Sequence, residues 1–167
     1  MVRLIHLVVV AITLISCVGC DQTTKAVAKK YLPRNEVMSL AGDTFRLQYA
    51  ENKGAFLSIG STLAKETRAA VFAFGTGAIV LGILGYLLFV PTLARGTTIA
   101  LSLIAGGGLS NWVDRITHDG YVIDFLNIGL NSLRTGIFNI ADVAIMAGIF
   151  YVGARGLPHH RREGPAY

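Results

Sequence analysis

The stretch "LISCVGCDQTTK" (residues 14–25) has two incompatible readings. Leu14, Ile15, Ser16 and Cys17 match a lipoprotein-type processing site, which would make everything before Cys17 a disposable signal peptide. Alternatively, the stretch is the outer end of a permanent membrane helix that finishes on Asp21 and Lys25. The rest of the chain decides between them. Of 167 residues, 53% are hydrophobic and 15% charged, whereas a soluble domain carries about a quarter charged residues. That balance points to a membrane protein.

Charges punctuate the sequence into four apolar runs. Nothing between Arg3 and Asp21 is formally charged, and only His6 interrupts the run; residues 69–94 and 96–113 are uncharged, and residues 135–154 carry a single charge, Asp142. A helix rises about 1.5 Å per residue through a hydrocarbon core of about 30 Å, so about 20 residues span it. The sequence therefore predicts an all-α membrane protein: a bundle of four transmembrane helices over about residues 4–24, 69–92, 97–114 and 137–155, forming one integral membrane domain with a tail at 156–167. A processed precursor would continue into a soluble domain after Cys17. Three further spans follow instead, so the processing-site match is a coincidence of common residue types.

Cys17 and Cys20 lie three apart in an apolar run with no second pair to complete a zinc site. They are expected to be small helix-packing residues, with lipidation at Cys17 as the alternative. Gly75, Gly77, Gly82 and Gly85 in the second run, and Gly106, Gly107 and Gly108 in the third, predict close approach of helix backbones. No strand or Lys-Ser/Thr context makes any of them a phosphate loop.

Residues 36–58 are not helical in pattern. Phe45, Leu47 and Tyr49 alternate with Arg46 and Gln48, which is strand periodicity, and Ala41, Gly42 and Asp43 supply a turn before them. A small extramembrane β-sheet on the membrane surface is expected, with residues 121–130 running extended beside it. A net charge of +5 suits basic flanks near anionic lipid. No stretch interleaves basic and aromatic residues, so nucleic acid is not an expected partner. Five Lys/Arg would face the side of the termini and ten the other, so a simple positive-inside count opposes cytoplasmic termini.

Ionisable groups near hydrocarbon are costly and are functional candidates by default. Four clusters fall at one end of the four runs. Asp21 and Lys25 are spaced i,i+4, either an interfacial salt bridge or part of a site. Asn52, Lys53 and Gly54 follow the strand. Asn111, Asp114 and Arg115 share one helical face, as a structural staple or a binding element. The fourth cluster is the most informative: Asp124 in "YVIDF" and Asp142 in "FNIAD" are bordered by apolar side chains, and Asn139 shares the face of Asp142.

Two carboxylates brought within a few ångströms cannot both ionise, so one keeps a proton while the other stays charged. Such a pair can take a proton from water and polarise a carbonyl, which is aspartic-protease chemistry. No nucleophile elbow, cysteine–base pair or HExxH motif is present, and the four histidines are scattered. No metal site and no cofactor are expected.

"DQTTK" (21–25), "LQYAENKGAF" (47–56), "GGGLSNWVDR" (106–115), "GYVIDF" (120–125) and "FNIAD" (138–142) resemble, in order and spacing, the signature boxes of lipoprotein signal peptidase, bacterial signal peptidase II. The resemblance implies a membrane aspartic endopeptidase that cleaves diacylglyceryl-modified prolipoproteins just before the lipidated cysteine. By motif, Asp124 and Asp142 would be its catalytic dyad. Asp21, Lys25, Asn52, Gly54, Asn111, Arg115, Asn139 and Ala141 would line or brace the site, and Asp114 would orient Arg115. It further implies the bacterial cytoplasmic membrane, both termini cytoplasmic, an active site near the outer face, and lipidated prolipoproteins and membrane lipids as partners of a monomer. Ser110 departs from the family, which usually has glycine before the asparagine. The short 126–137 segment departs too, lacking the aromatic residues common there. The alternative class is a non-enzymatic four-helix transporter or assembly factor using the two aspartates as a proton relay.

Overall fold

The computed structural model describes residues 2–53 and 65–155. Its elements run α1 (Val2–Tyr31), β1 (Met38–Leu40), β2 (Phe45–Asn52), α2 (Lys65–Phe89), α3 (Arg95–Thr117), β3 (Val122–Leu130), β4 (Leu133–Arg134) and α4 (Ile140–Arg155). Four helices and a four-stranded antiparallel sheet are thus observed. Residues 14–25 lie inside α1, which continues unbroken past Lys25. Among the described residues α1 alone is long and apolar enough to cross a membrane by length and composition, with Phe74–Phe89 a shorter apolar stretch. The expected tail (156–167) and the 54–58 end of the expected β element lie outside the described residues.

Helix α3 is the hub of the bundle because it is thin where the others press on it. A Cβ at Gly106 would come 2.9 Å from Cys17 Cβ in α1, one at Gly108 would come 2.8 Å from Val80 Cγ2 in α2, and one at Gly107 would strike the Ala141 carbonyl in α4. Successive helix residues point about 100° apart, so three adjacent glycines serve three neighbours. Cys17 is accordingly a buried packing residue and Cys20 is exposed. In α2 only one of the four expected packing glycines is needed. Gly77 lies under the Trp112 ring, 3.0 Å from a Cβ built there, while Gly75, Gly82 and Gly85 face open space.

Away from this hub, His6 ties α1 to the end of α2. The Leu87 carbonyl would normally accept from residue 91, but Pro91 has no N–H. His6 Nε2 lies 2.7 Å from that oxygen. A carbonyl can only accept, so Nε2 carries the proton. His6 is buried, and its other ring nitrogen faces the Thr98 hydroxyl at 3.4 Å.

The sheet order is β1-β2-β3-β4. The expected turn is present: Ala41, Gly42 and Asp43 all have positive φ, 51°, 63° and 69°. Asp43 accepts from Arg46 Nε (2.7 Å) and the Ser39 hydroxyl (2.7 Å). These bonds, Arg46 first, hold its carboxyl well below the usual carboxylate range. Arg134 reaches across to the Asp43 carbonyl (2.7 Å) and to Asn127 Oδ1 (2.6 Å), locking the β3–β4 hairpin to the turn. β4 was not expected, since two residues are too few to show a period. Register pairs Met38 with Leu47, Leu40 with Phe45, Phe45 with Ile128, Leu47 with Leu126 and Leu130 with Leu133. These apolar residues share one face, and by strand alternation Asp124 lies on that face too.

Replacing His6 with Phe should keep the volume but orphan the Leu87 carbonyl. Unfolding in detergent should become easier by about 1–3 kcal/mol, while His6→Gln, which keeps a donor, should lose less.

Candidate active site

Asp124 and Asp142 are brought together by a local device. The Phe138 main chain pairs with β3: Phe138 N–H donates to the Leu126 carbonyl (2.8 Å), and Leu126 N–H donates to the Phe138 carbonyl (2.8 Å). This seats the next residue, Asn139, beside Asp124. Asn139 is also the N-cap of α4. Its Oδ1 accepts from Asp142 N–H (2.9 Å) while Asp142 Oδ2 accepts from Asn139 N–H (3.2 Å), a reciprocal capping box. The same residue donates from Nδ2 to Asp124 Oδ1 at 2.7 Å. One fully buried asparagine therefore binds both carboxylates.

The remaining carboxylate oxygens are held from other elements. Asn52 Nδ2 on β2 donates to Asp124 Oδ2 (3.0 Å), and Asn111 Nδ2 on α3 donates to Asp142 Oδ1 (2.9 Å). Asp124 is 2% exposed and Asp142 half-buried, so the pair opens outward on the Asp142 side. Burial first, and then the neighbouring Asp142 charge, push the Asp124 carboxyl up to about 7, against the opposing bonds from Asn52 and Asn139 and the charge of Lys25. Arg115 donates to the Asn111 carbonyl (3.2 Å) and lies near enough to attract Asp142, Asp124 and Asp114.

Beneath the pair lies a buried charge cluster. An ammonium has three donors, and Lys25 directs them to Asp21 Oδ2 (2.6 Å), Asp114 Oδ2 (2.7 Å) and Asn111 Oδ1 (2.9 Å). Lys25, Asp21 and Asp114 are each at most 1% exposed. The Asp21–Lys25 pair is therefore no interfacial salt bridge. Asp21 Oδ1 also accepts from Ala141 N–H (2.8 Å), one of the free donors of the first turn of α4. Asp114 Oδ2 accepts from Ile123 N–H (3.2 Å).

The family model described as Signal peptidase (SPase) II matches residues 12–156. This chain belongs to the signal peptidase II family. Curated relatives named lipoprotein signal peptidase include one from Tropheryma whipplei, 37% identical over 135 residues, covering 78% of this chain and 81% of the relative. Another, from Streptococcus pneumoniae, is 30% identical over 141 residues, covering 84% and 87%. A third, from Leifsonia xyli, is 33% identical over 147 residues, and the match spans 62% of its length. A bacterial membrane enzyme solved by the in meso method at 1.9 Å shares the fold with a TM-score of 0.76 at 22% identity, covering 89% of this chain and 92% of that one.

Within this family member, one network joins Asp21, Lys25, Asn52, Asn111, Asp114, Asn139, Ala141, Asp124 and Asp142, with Arg115 beside it. Gly54 lies outside the described residues. The Asp114 carboxylate is hydrogen-bonded to Lys25, Gln22 and the Ile123 N–H, and its link to Arg115, whose own bond goes to the Asn111 carbonyl, is one of charge. Asp114 points toward α1, where the only buried ammonium among the described residues sits. Sequence reasoning passed over Gln22, which donates to Ser110 Oγ (2.9 Å) and Asp114 Oδ1 (2.8 Å). It read Ser110 only as a departure from the family's usual glycine. The signal available was adjacency: Gln22 follows Asp21, and Ser110 precedes Asn111.

Replacing Lys25 with Met would leave Asp21 and Asp114 buried with no cation between them. Removing one partner of a buried ion cluster costs about 3–5 kcal/mol. A large fall in the detergent-solubilised melting temperature should follow, and adding Asp114→Asn should recover part of it.

Proposed function

We propose that this chain removes the signal peptide from diacylglyceryl-modified prolipoproteins, cleaving before the lipidated cysteine with Asp124 and Asp142 as a water-activating pair. The observation that carries this reading is the single asparagine, Asn139, holding both carboxylates at one site. In this reading α1 to α4 all cross the bacterial cytoplasmic membrane as one monomeric domain. Both termini are cytoplasmic and the sheet lies at the outer face. The substrate's signal helix and its lipid both live in the bilayer, so they approach laterally between helices.

The chemistry follows from one shared proton. The charged carboxylate takes a proton from water as the water oxygen bonds to the scissile carbonyl carbon. The protonated carboxyl donates to the carbonyl oxygen, giving a neutral tetrahedral diol. Transfer of a proton to the amide nitrogen then lets the C–N bond break. The signal peptide leaves with a new carboxylate and the lipidated cysteine with a free amine. No covalent enzyme intermediate forms. The pair titrates jointly, so the raised position of Asp124 supports a proton retained near neutrality. The apolar face leading from Asp124 through Leu126 and Ile128 to Phe45 and Leu40 suits an extended apolar peptide. Main-chain bonds to such a peptide would come from an edge of the sheet, while its side chains rest against this face.

Asp124→Asn and Asp142→Asn should each abolish processing of a purified diacylglyceryl-prolipoprotein while leaving the folded helix content intact; substantial turnover by either variant would rule the pair out. The pH profile gives an independent check. Because the pair needs its proton, kcat/KM should fall as pH rises past about 7. Asn52 favours the charged form, so Asn52→Ala should move that alkaline limb to higher pH.

A further inference from the structure

The buried cluster reaches the backbone at two places, and both stand immediately before a catalytic aspartate. Asp21 holds the N–H of Ala141, which precedes Asp142, and Asp114 holds the N–H of Ile123, which precedes Asp124. Two carboxylates share one ammonium, and neutral donors hold them as well: the Ser110 hydroxyl and Ala141 N–H on Asp21, the Gln22 amide and Ile123 N–H on Asp114. Ser110 is fully buried. Its Oγ donates to Asp21 Oδ2 (2.7 Å) and accepts from Gln22 Nε2 (2.9 Å), which also donates to Asp114 Oδ1 (2.8 Å). A closed path therefore runs from Asp21 through Ser110 and Gln22 to Asp114, in parallel with the path through Lys25.

We infer that Ser110 and Gln22 are positioning residues that set the relative placement of Asp124 and Asp142, acting through Asp21 and Asp114; the inference rests on the reading of those two aspartates as the hydrolytic pair. Without the Ser110 hydroxyl, Asp21 Oδ2 keeps only Lys25, and the ammonium shifts toward it at the expense of Asn111 Oδ1. Asn111 is the residue that donates to Asp142. The disturbance thus arrives at Asp142 twice, through Ala141 and through Asn111. Neither Ser110 nor Gln22 has a hydrogen bond to Asp124 or Asp142 among those found, so both act at one remove.

The test is steady-state cleavage of a diacylglyceryl-prolipoprotein by Ser110→Ala, with rates normalised to the folded fraction from a melting transition. Misplacing a reacting group costs rate more than binding, so kcat should fall roughly tenfold with KM within about twofold. Gln22→Met, which removes the brace from its other end, should show the same split. Unchanged kcat in Ser110→Ala, or a rise in KM alone, overturns the inference. Should Ser110→Ala fail to fold, unchanged kcat in Gln22→Met overturns it. Asp124→Asn and Asp142→Asn run in the same assay separate the two levels. If those remain active, the reading of the pair has failed. If they are dead and both brace variants are fully active, only the positioning role has.

Discussion

One ammonium in the protein interior, Lys25 Nζ, organises the rest of the molecule. It sits within 2.9 Å of Asp21, Asp114 and Asn111. Those residues come from α1 and α3 and reach onward to α4 and β3. Burying such a group is unfavourable unless all its donors are used and its charge is matched. That demand fixes where α1 must end its apolar run, which face of α3 must meet it, and how the first turn of α4 is capped. Lys25 Nζ also lies one residue removed, through Asn111, from a carboxylate at the site.

The site itself depends on a hairpin. Asp124 and Asp142 belong to a strand and a helix, elements with no inherent reason to meet. Pairing of the Phe138 main chain with Leu126 folds the intervening segment back, and the capping box at Asn139 turns the chain into α4 at that point. The residue that starts the helix is thereby the residue that spaces the carboxylates. Structural and chemical duties coincide in Asn139 because a helix N-terminus needs side-chain acceptors and a carboxylate pair needs amide donors. Asparagine offers both.

Much of this was legible from particular residues. The charge-free runs gave four helices, although α1 extends to Tyr31 and α4 starts at Ile140. Local hydropathy does not record where a helix is capped. The alternation at Phe45, Leu47 and Tyr49 and the Ala41–Gly42–Asp43 turn gave β1 and β2, because a period of two and a demand for positive φ are written in consecutive residues. β4 was silent, and so was the lock made by Asn127, Arg134 and Asp43. Its members are distant in the chain and ordinary in type. The glycines show the same divide. All seven looked alike as a sequence pattern, yet Gly106, Gly107 and Gly108 face three helices while Gly75, Gly82 and Gly85 face open space.

By itself, the sequence determined the element types, the sheet turn and the family, since each rests on near-neighbour patterns or ordered motifs. It also marked the isolated ionisable residues, because a charge beside apolar neighbours is anomalous in one dimension. Only the tertiary structure decided partnership. It assigned Asp114 to Lys25 and the Ile123 N–H, gave Asp21 a free amide of α4, and linked Ser110 and Gln22 to the cluster. Hydrogen bonds act over about 3 Å, and every one of these joins residues that the chain separates by at least nine positions, so no local pattern could encode which donor meets which acceptor.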